Sequence, residues 1–219
     1  MVKISANKNI LSKNDEIALR LRKLFEEKKI TVFNFVSSPG SGKTSILEKI
    51  VSPLKARFNV GVLIGDLQTD NDARRLRKCG ADAFQINTGK GCHLDALGIE
   101  KALDNFQMDD LDILIIENVG NLVCPSGFDL GEDFKIVVIS VTEGDDKPEK
   151  YPTMIRVSDV MIINKKDLLP YVNFNVEKCM HYAKNIKHNI QFFETSCVTG
   201  DGIDDIMHWI SEKAQVKAE

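Results

Sequence analysis

Short apolar runs separated by amphipathic or polar stretches recur along the whole chain. Val32-Phe33-Asn34-Phe35-Val36, Val60-Gly61-Val62-Leu63-Ile64 and Ile113-Leu114-Ile115-Ile116 read as buried strands, as do Val160-Met161-Ile162-Ile163 and the run 135–141. Ala83-Phe84-Gln85-Ile86 and Ile190-Gln191-Phe192-Phe193 are shorter strands of the same kind. Between them the apolar spacing turns helical over residues 45–58, 73–79, 94–103, 153–157, 176–186 and 203–213. Gly80 stands where the second of these expected helices, 73–79, needs a C-terminal stop, and residues 142–152 read as a charged loop. Strand and helix alternate throughout, which predicts an α/β fold: a mostly parallel central sheet with helices on both faces. Ahead of the first strand, Ile17, Leu21, Leu24 and Phe25 mark an amphipathic helix over residues 14–29, with Ser12 or Asn14 as its cap. The domain expectation is therefore an N-terminal helical segment, 1–30, and a nucleotide-binding domain, 31–215.

In a parallel sheet ligands gather beyond the carboxyl ends of the strands, and the chemistry-bearing stretches of this chain all follow a strand. Ser37-Ser38-Pro39-Gly40-Ser41-Gly42-Lys43-Thr44-Ser45 lies between the first strand and a helix. Small residues let backbone N–H groups close around phosphate, and the helix start adds its positive dipole end. Gly40, Ser41, Gly42, Lys43, Thr44 and Ser45 are the expected phosphate contacts, with Lys43 on the β/γ-phosphates and the Thr44 hydroxyl on Mg²⁺. Ser37 departs from the usual glycine at the first position. Asp66 and Glu117 end two further strands and are the expected carboxylates for the Mg²⁺ shell, with Asp66 favoured for the attacking water. Lys43, Asp66 and Glu117 are the expected catalytic groups. Arg74 and Arg75 follow Asp66 and could approach the phosphates, although a solvated helix face is the commoner reading; without a clear charge-stabilising arginine, slow turnover is expected.

The base is addressed by Asn164-Lys165-Lys166-Asp167. A carboxylate at Asp167 accepts two parallel hydrogen bonds from guanine, and adenine has no such donor pair. Asn164 braces the loop and reaches the guanine edge, the Lys165 stem covers the base, and Ser196 and Cys197 belong to a small-residue loop suited to guanine O6.

The chain has 219 residues, a length suited to one α/β domain. Net charge is −3 without a basic stripe, which argues against a nucleic-acid partner. No apolar run approaches the roughly 20 residues of a membrane span, and the N-terminus lacks a signal-peptide core, so a cytoplasmic protein is expected. Five cysteines, odd in number and widely spread, argue against a disulfide framework. Cys92 and His93 adjoin in a Gly-bounded loop and Cys124 follows the strand ending in Glu117. Thiolate plus imidazole suits Zn²⁺ or Ni²⁺, and three ligands fit a dimer interface or a transfer site. On spacing alone, two buried thiols and an unrelated histidine fit as well. Cys79, Cys179, His181, His188 and His208 show no such grouping.

Together these stretches resemble the hydrogenase and urease maturation GTPases. The resemblance is carried by the phosphate loop, Gly65-Asp66, Thr88-Gly89-Lys90-Gly91-Cys92-His93-Leu94-Asp95-Ala96 and Glu117-Asn118-Val119-Gly120-Asn121-Leu122-Val123-Cys124-Pro125. Ser140-Val141-Thr142-Glu143-Gly144-Asp145-Asp146-Lys147-Pro148 and the guanine quartet continue it. It implies GTP hydrolysis coupled to nickel delivery, a GTP-favoured homodimer, and a metal site of Cys92, His93 and Cys124. It also implies a HypA-type nickel chaperone and a hydrogenase large subunit as partners. Residues 1–11 hold no Cys or His, so tight nickel storage at that end is not expected. A scaffold with structural zinc and a small-molecule kinase are the alternatives.

Overall fold

Seven strands build one sheet in the order β3-β2-β4-β1-β5-β6-β7, and every neighbouring pair is parallel. The computed structural model describes residues 3–66, 70–89 and 91–218. Residues 67–69 of the loop after Asp66, and Lys90 of the Cys-His loop, lie outside them, as do residues 1 and 2 of the N-terminal segment. The strands are β1 (Thr31–Ser37), β2 (Val60–Asp66), β3 (Asp82–Asn87), β4 (Ile113–Glu117), β5 (Phe134–Ser140), β6 (Val160–Asn164) and β7 (Gln191–Glu194). The helices are α1 (Lys3–Glu27), α2 (Lys43–Lys55), α3 (Asn71–Lys78), α4 (Ala96–Ala102), α5 (Lys147–Lys150), α6 (Pro152–Val157), α7 (Val176–Ile186) and α8 (Ile203–Ala218).

Because side chains alternate across a strand, each central strand feeds two cores. Phe33, Phe35, Ile136 and Val138 point to one face, where α2, α3 and α8 close over them and Trp209 meets Phe33 and Phe134 edge-on. Val32, Leu114 and Ile116 point to the other, under α1 and α4. Val36, Val137 and Ile139 continue that face under α6 and α7. Fully burying each such Ile, Leu or Phe contributes roughly 1.5–3 kcal/mol, and this is what places seven strand ends in one row.

Two local expectations are corrected and one turn is added. The charged loop 142–152 contains α5, where Pro148 occupies the first turn, a position that needs no N–H. The guanine quartet runs into a 3-10 turn, Lys166–Tyr171. Neither Ser12 nor Asn14 is a cap: α1 starts earlier, and both lie inside it, with Asn14 5 % exposed. Its amide accepts from Ala96 N at 2.8 Å and donates to the Asp129 carbonyl at 2.8 Å. Gly80 does close α3, at φ +81°, its N–H donating to the Arg77 carbonyl at 2.9 Å.

Candidate functional site

The phosphate loop leaves β1 and enters α2 through two left-handed glycines, Gly40 at φ +76° and Gly42 at φ +102°. A side chain on Gly42 would place its Cβ 2.3 Å from Asn164 Nδ2, so glycine is required by contact as well as by conformation. A cleft of about 500 Å³ opens over the loop, lined by Pro39, Gly40, Gly42 to Ser45, Asp72, Arg75, Glu117, Gly120 and Lys165.

Lys43 is buried at the root of the cleft and its Nζ donates to Ser37 Oγ at 2.7 Å. The serine that replaces glycine at the first loop position thus holds the lysine. Burial pushes the Lys43 ammonium below its usual pKa, against the opposing charges of Glu117 and Asp72. Thr44 Oγ1 donates to Glu117 Oε1 at 2.6 Å. Glu117 is 3 % exposed, and burial raises its carboxyl to about 7 although Lys43 and Thr44 pull the other way. Its Oε2 is buried and finds no hydrogen-bond partner among the described residues. An orphaned carboxylate oxygen beside a threonine hydroxyl is a hard-oxygen donor set, and it fits Mg²⁺.

Asp66 ends β2, across β4 from the phosphate loop, where its carbonyl accepts from Thr88 N at 3.1 Å at the base of the Cys-His loop. The sequence reading gave no role to Asp72, which lines the cleft from the first turn of α3. Arg75 lines it too, held by Glu48 at 2.7 Å and Asp72 at 3.2 Å and touching Ser45 Oγ at 3.2 Å. Only Arg74, paired with Asp70 at 2.8 Å, fits the expected exposed face. The helical spacing that separates these two arginines was visible; the turn that carries α3 toward the phosphate loop was not.

The guanine-type loops meet beside the same cleft. Asn164 donates to the Ser41 carbonyl at 2.9 Å and accepts from Thr195 Oγ1 at 3.0 Å, so both ends of its amide brace protein. Cys197 Sγ lies 3.8 Å from the same Asn164 oxygen. Ser196 Oγ donates to Asp167 Oδ1 at 2.5 Å. Lys165 takes a left-handed conformation, φ +63°, and its Nζ donates to the Gly40 carbonyl at 2.7 Å. Ser41 Oγ reaches Glu143 at 2.7 Å, and Glu143 pairs with Lys147 at 2.9 Å, tying the loop after β5 to the phosphate loop.

Cys92, His93 and Cys124 come together, their candidate ligand atoms all within 4.8 Å of one another. Cys92 Sγ lies 3.6 Å from His93 Nδ1. The hydrogen bond with the Cys124 side chain, and burial, push the Cys92 thiol up, and a soft dication displaces such a shared proton. Burial lowers the His93 pKa, favouring the neutral ring that ligates metals; the ring rests on Phe128 at a centroid distance of 3.8 Å. Cys179 is a core thiol instead, raised to about 12 by burial.

One segment joins the two sites. From β4, Glu117 reaches Thr44, and Asn118 Oδ1 accepts from Leu94 N at 3.1 Å, next to His93. Gly120 lies so close to Pro39 that a Cβ would meet its Cα at 3.1 Å. Asn121 Nδ2 donates to the Cys92 carbonyl at 3.3 Å, and Cys124 follows.

Glycine turn, buried lysine and strand-end carboxylate on a parallel sheet define a P-loop nucleotide-binding protein. The model of the CobW/HypB/UreG nucleotide-binding domain matches residues 31–194. The chain is 49 % identical over 215 residues to the hydrogenase maturation factor HypB of Rhizobium leguminosarum bv. viciae, covering 98 % of this chain and 72 % of that protein. Two solved structures superpose closely. HypB from Helicobacter pylori in complex with nickel has a TM-score of 0.88 and 43 % identity, over 93 % of this chain and 95 % of that one. The hydrogenase maturation factor HypB from Archaeoglobus fulgidus has a TM-score of 0.86 and 37 % identity, over 93 % and 99 %. The chain belongs to the CobW/HypB/UreG family, in its HypB branch. Among the described residues no helix is long and apolar enough to cross a membrane.

Proposed function

We propose that this protein hydrolyses GTP to GDP and phosphate and uses the cycle to deliver nickel during hydrogenase maturation. The observation that carries the proposal is the segment 117–124, which touches the phosphate loop at Thr44 and Pro39 and holds the metal pocket through Asn118, Asn121 and Cys124. Phosphate entering the cleft draws Lys43 from Ser37. Thr44 and Glu117 would hold Mg²⁺, which neutralises charge between the phosphates. Asp66 and Asp72 are the carboxylates assigned to the attacking water, and Asp167, Ser196 and Cys197, braced by Asn164 and Lys165, to guanine. Presence of the γ-phosphate biases the 117–124 segment, and hydrolysis releases that bias.

Cys92, His93 and Cys124 are the nickel ligands in this reading, and the same set accepts zinc. Three ligands leave a position open for water or a second subunit, as a transfer site requires. A homodimer favoured by GTP, a HypA-type chaperone as nickel donor, a hydrogenase large subunit as acceptor and a cytoplasmic setting complete the proposal. Serine at Cys92 or Cys124 tests it. Nickel binding is lost while GTP hydrolysis without metal persists; a dimer that collapses with or without nucleotide assigns a structural zinc instead. Phosphate appearing on an acceptor rather than free in solution assigns a kinase.

A further inference from the structure

Asn34 and Lys135 are register partners on β1 and β5, in the middle of the sheet, where the alternation calls for apolar side chains. They are 0 % and 6 % exposed. An amide and an ammonium in such places are costly unless each polar atom is met. Asn34 Nδ2 donates to Glu132 Oε1 at 3.0 Å, and Asn34 Oδ1 accepts from Asn118 Nδ2 at 3.4 Å. Lys135 Nζ pairs with Glu132 Oε1 at 3.1 Å, and Glu132 Oε2 accepts from Leu130 N at 2.7 Å. The remaining Lys135 donors reach two carbonyls, Pro125 at 3.3 Å and Phe128 at 3.1 Å.

One of those carbonyls lies inside the 3-10 turn Cys124–Gly127 and the other belongs to the residue that closes it. Cys124 opens that turn, and the Phe128 ring behind it carries His93. At its other end the same polar chain reaches Asn118, which holds Leu94 N beside His93. Neither Lys135 nor Glu132 lines the cleft over the phosphate loop, and their contacts stop one step short of the metal-ligand atoms.

We propose that Lys135 is a positioning residue for the metal pocket. Its ammonium, neutralised by Glu132, fixes the turn that presents Cys124 and the ring that seats His93, and so sets the spacing at which the three ligands meet a metal. The inference rests on the nickel-delivery reading. Carbonyls point at a donor only where one is fixed, and partners one step behind the ligands typically change metal affinity by about 10–100-fold when removed.

Nickel titrations of the full chain, followed at the thiolate-to-nickel absorption band, test this with Lys135→Arg and with Lys135→Met combined with Glu132→Gln. Lys135→Arg keeps a cation against Glu132 and therefore the fold, but moves the donors. It is expected to weaken nickel several-fold and to shift the band. The double variant removes both charges and is expected to weaken nickel by about tenfold or more. GDP affinity stays within about twofold in both, whereas a general loosening would lower it as well. Wild-type nickel affinity and an unshifted band in Lys135→Arg, or in the double variant, overturn the positioning role alone. Should the double variant not fold, Lys135→Arg decides. A wild-type chain whose nickel binding ignores Cys124→Ser overturns the nickel reading, and this inference with it.

Discussion

Glu117 is an acid held almost wholly out of water, with one oxygen on Thr44 and the other without a partner among the described residues. Burial raises its pKa to about 7, so between about 4.5 and about 7 the folded chain without metal or nucleotide binds a proton that the unfolded chain has released. Its contribution to stability is full below that window and is lost as pH rises through it. Melting temperatures across the window check this: the wild type loses ground to Glu117→Gln as pH rises, and a constant gap between the two contradicts it. Asp167, in the proposed function, is the acceptor offered to a guanine base. Asp167→Asn exchanges an acceptor for a donor and is expected to cut GTP affinity by about a hundredfold or more while xanthosine triphosphate gains. Nucleotide competition assays read both changes, and unchanged guanine preference removes the base assignment.

At the scale of elements, α1 is a clamp. Ile17, Ala18, Leu21 and Phe25 bury its apolar stripe, and Asn14 stitches the start of α4 to the loop after Cys124. Asn14→Ala strands the buried Ala96 N–H and is expected to cost about 1–3 kcal/mol, measured by urea unfolding; a loss below about 0.5 kcal/mol denies the stitch. The sequence pattern made the strand order of chemistry legible, because apolar runs ending in Ser37, Asp66, Glu117 and Asn164 announce strand ends that face one edge. It did not show Asn14, since an amide inside a helix and one at its cap look alike until the neighbouring helix is placed. Asp72 was hidden, and Arg75 could not be told from Arg74, for a similar reason: only the turn into α3 brings them to the cleft over the phosphate loop. Asn34 and Lys135 were written in plain view, as polar residues inside apolar strands, but their partners come from a loop about a hundred residues away from Asn34.

For the molecule as a whole, the parallel sheet puts nucleotide and metal chemistry on the ends of adjacent strands, β1 and β4. A short loop then spans both, so in the proposed cycle a shift of Glu117 and Gly120 as phosphate comes and goes would pass to Asn118, Asn121 and Cys124 without a long relay. The coupling is a difference in free energy between two states, and by linkage metal must affect nucleotide as nucleotide affects metal. The most direct test is a nickel titration of the full chain loaded with a non-hydrolysable GTP analogue and, separately, with GDP. Affinities that differ by about fivefold or more between the two, with the difference abolished by Cys124→Ser, are the predicted result. Equal nickel affinity in both nucleotide states contradicts the account.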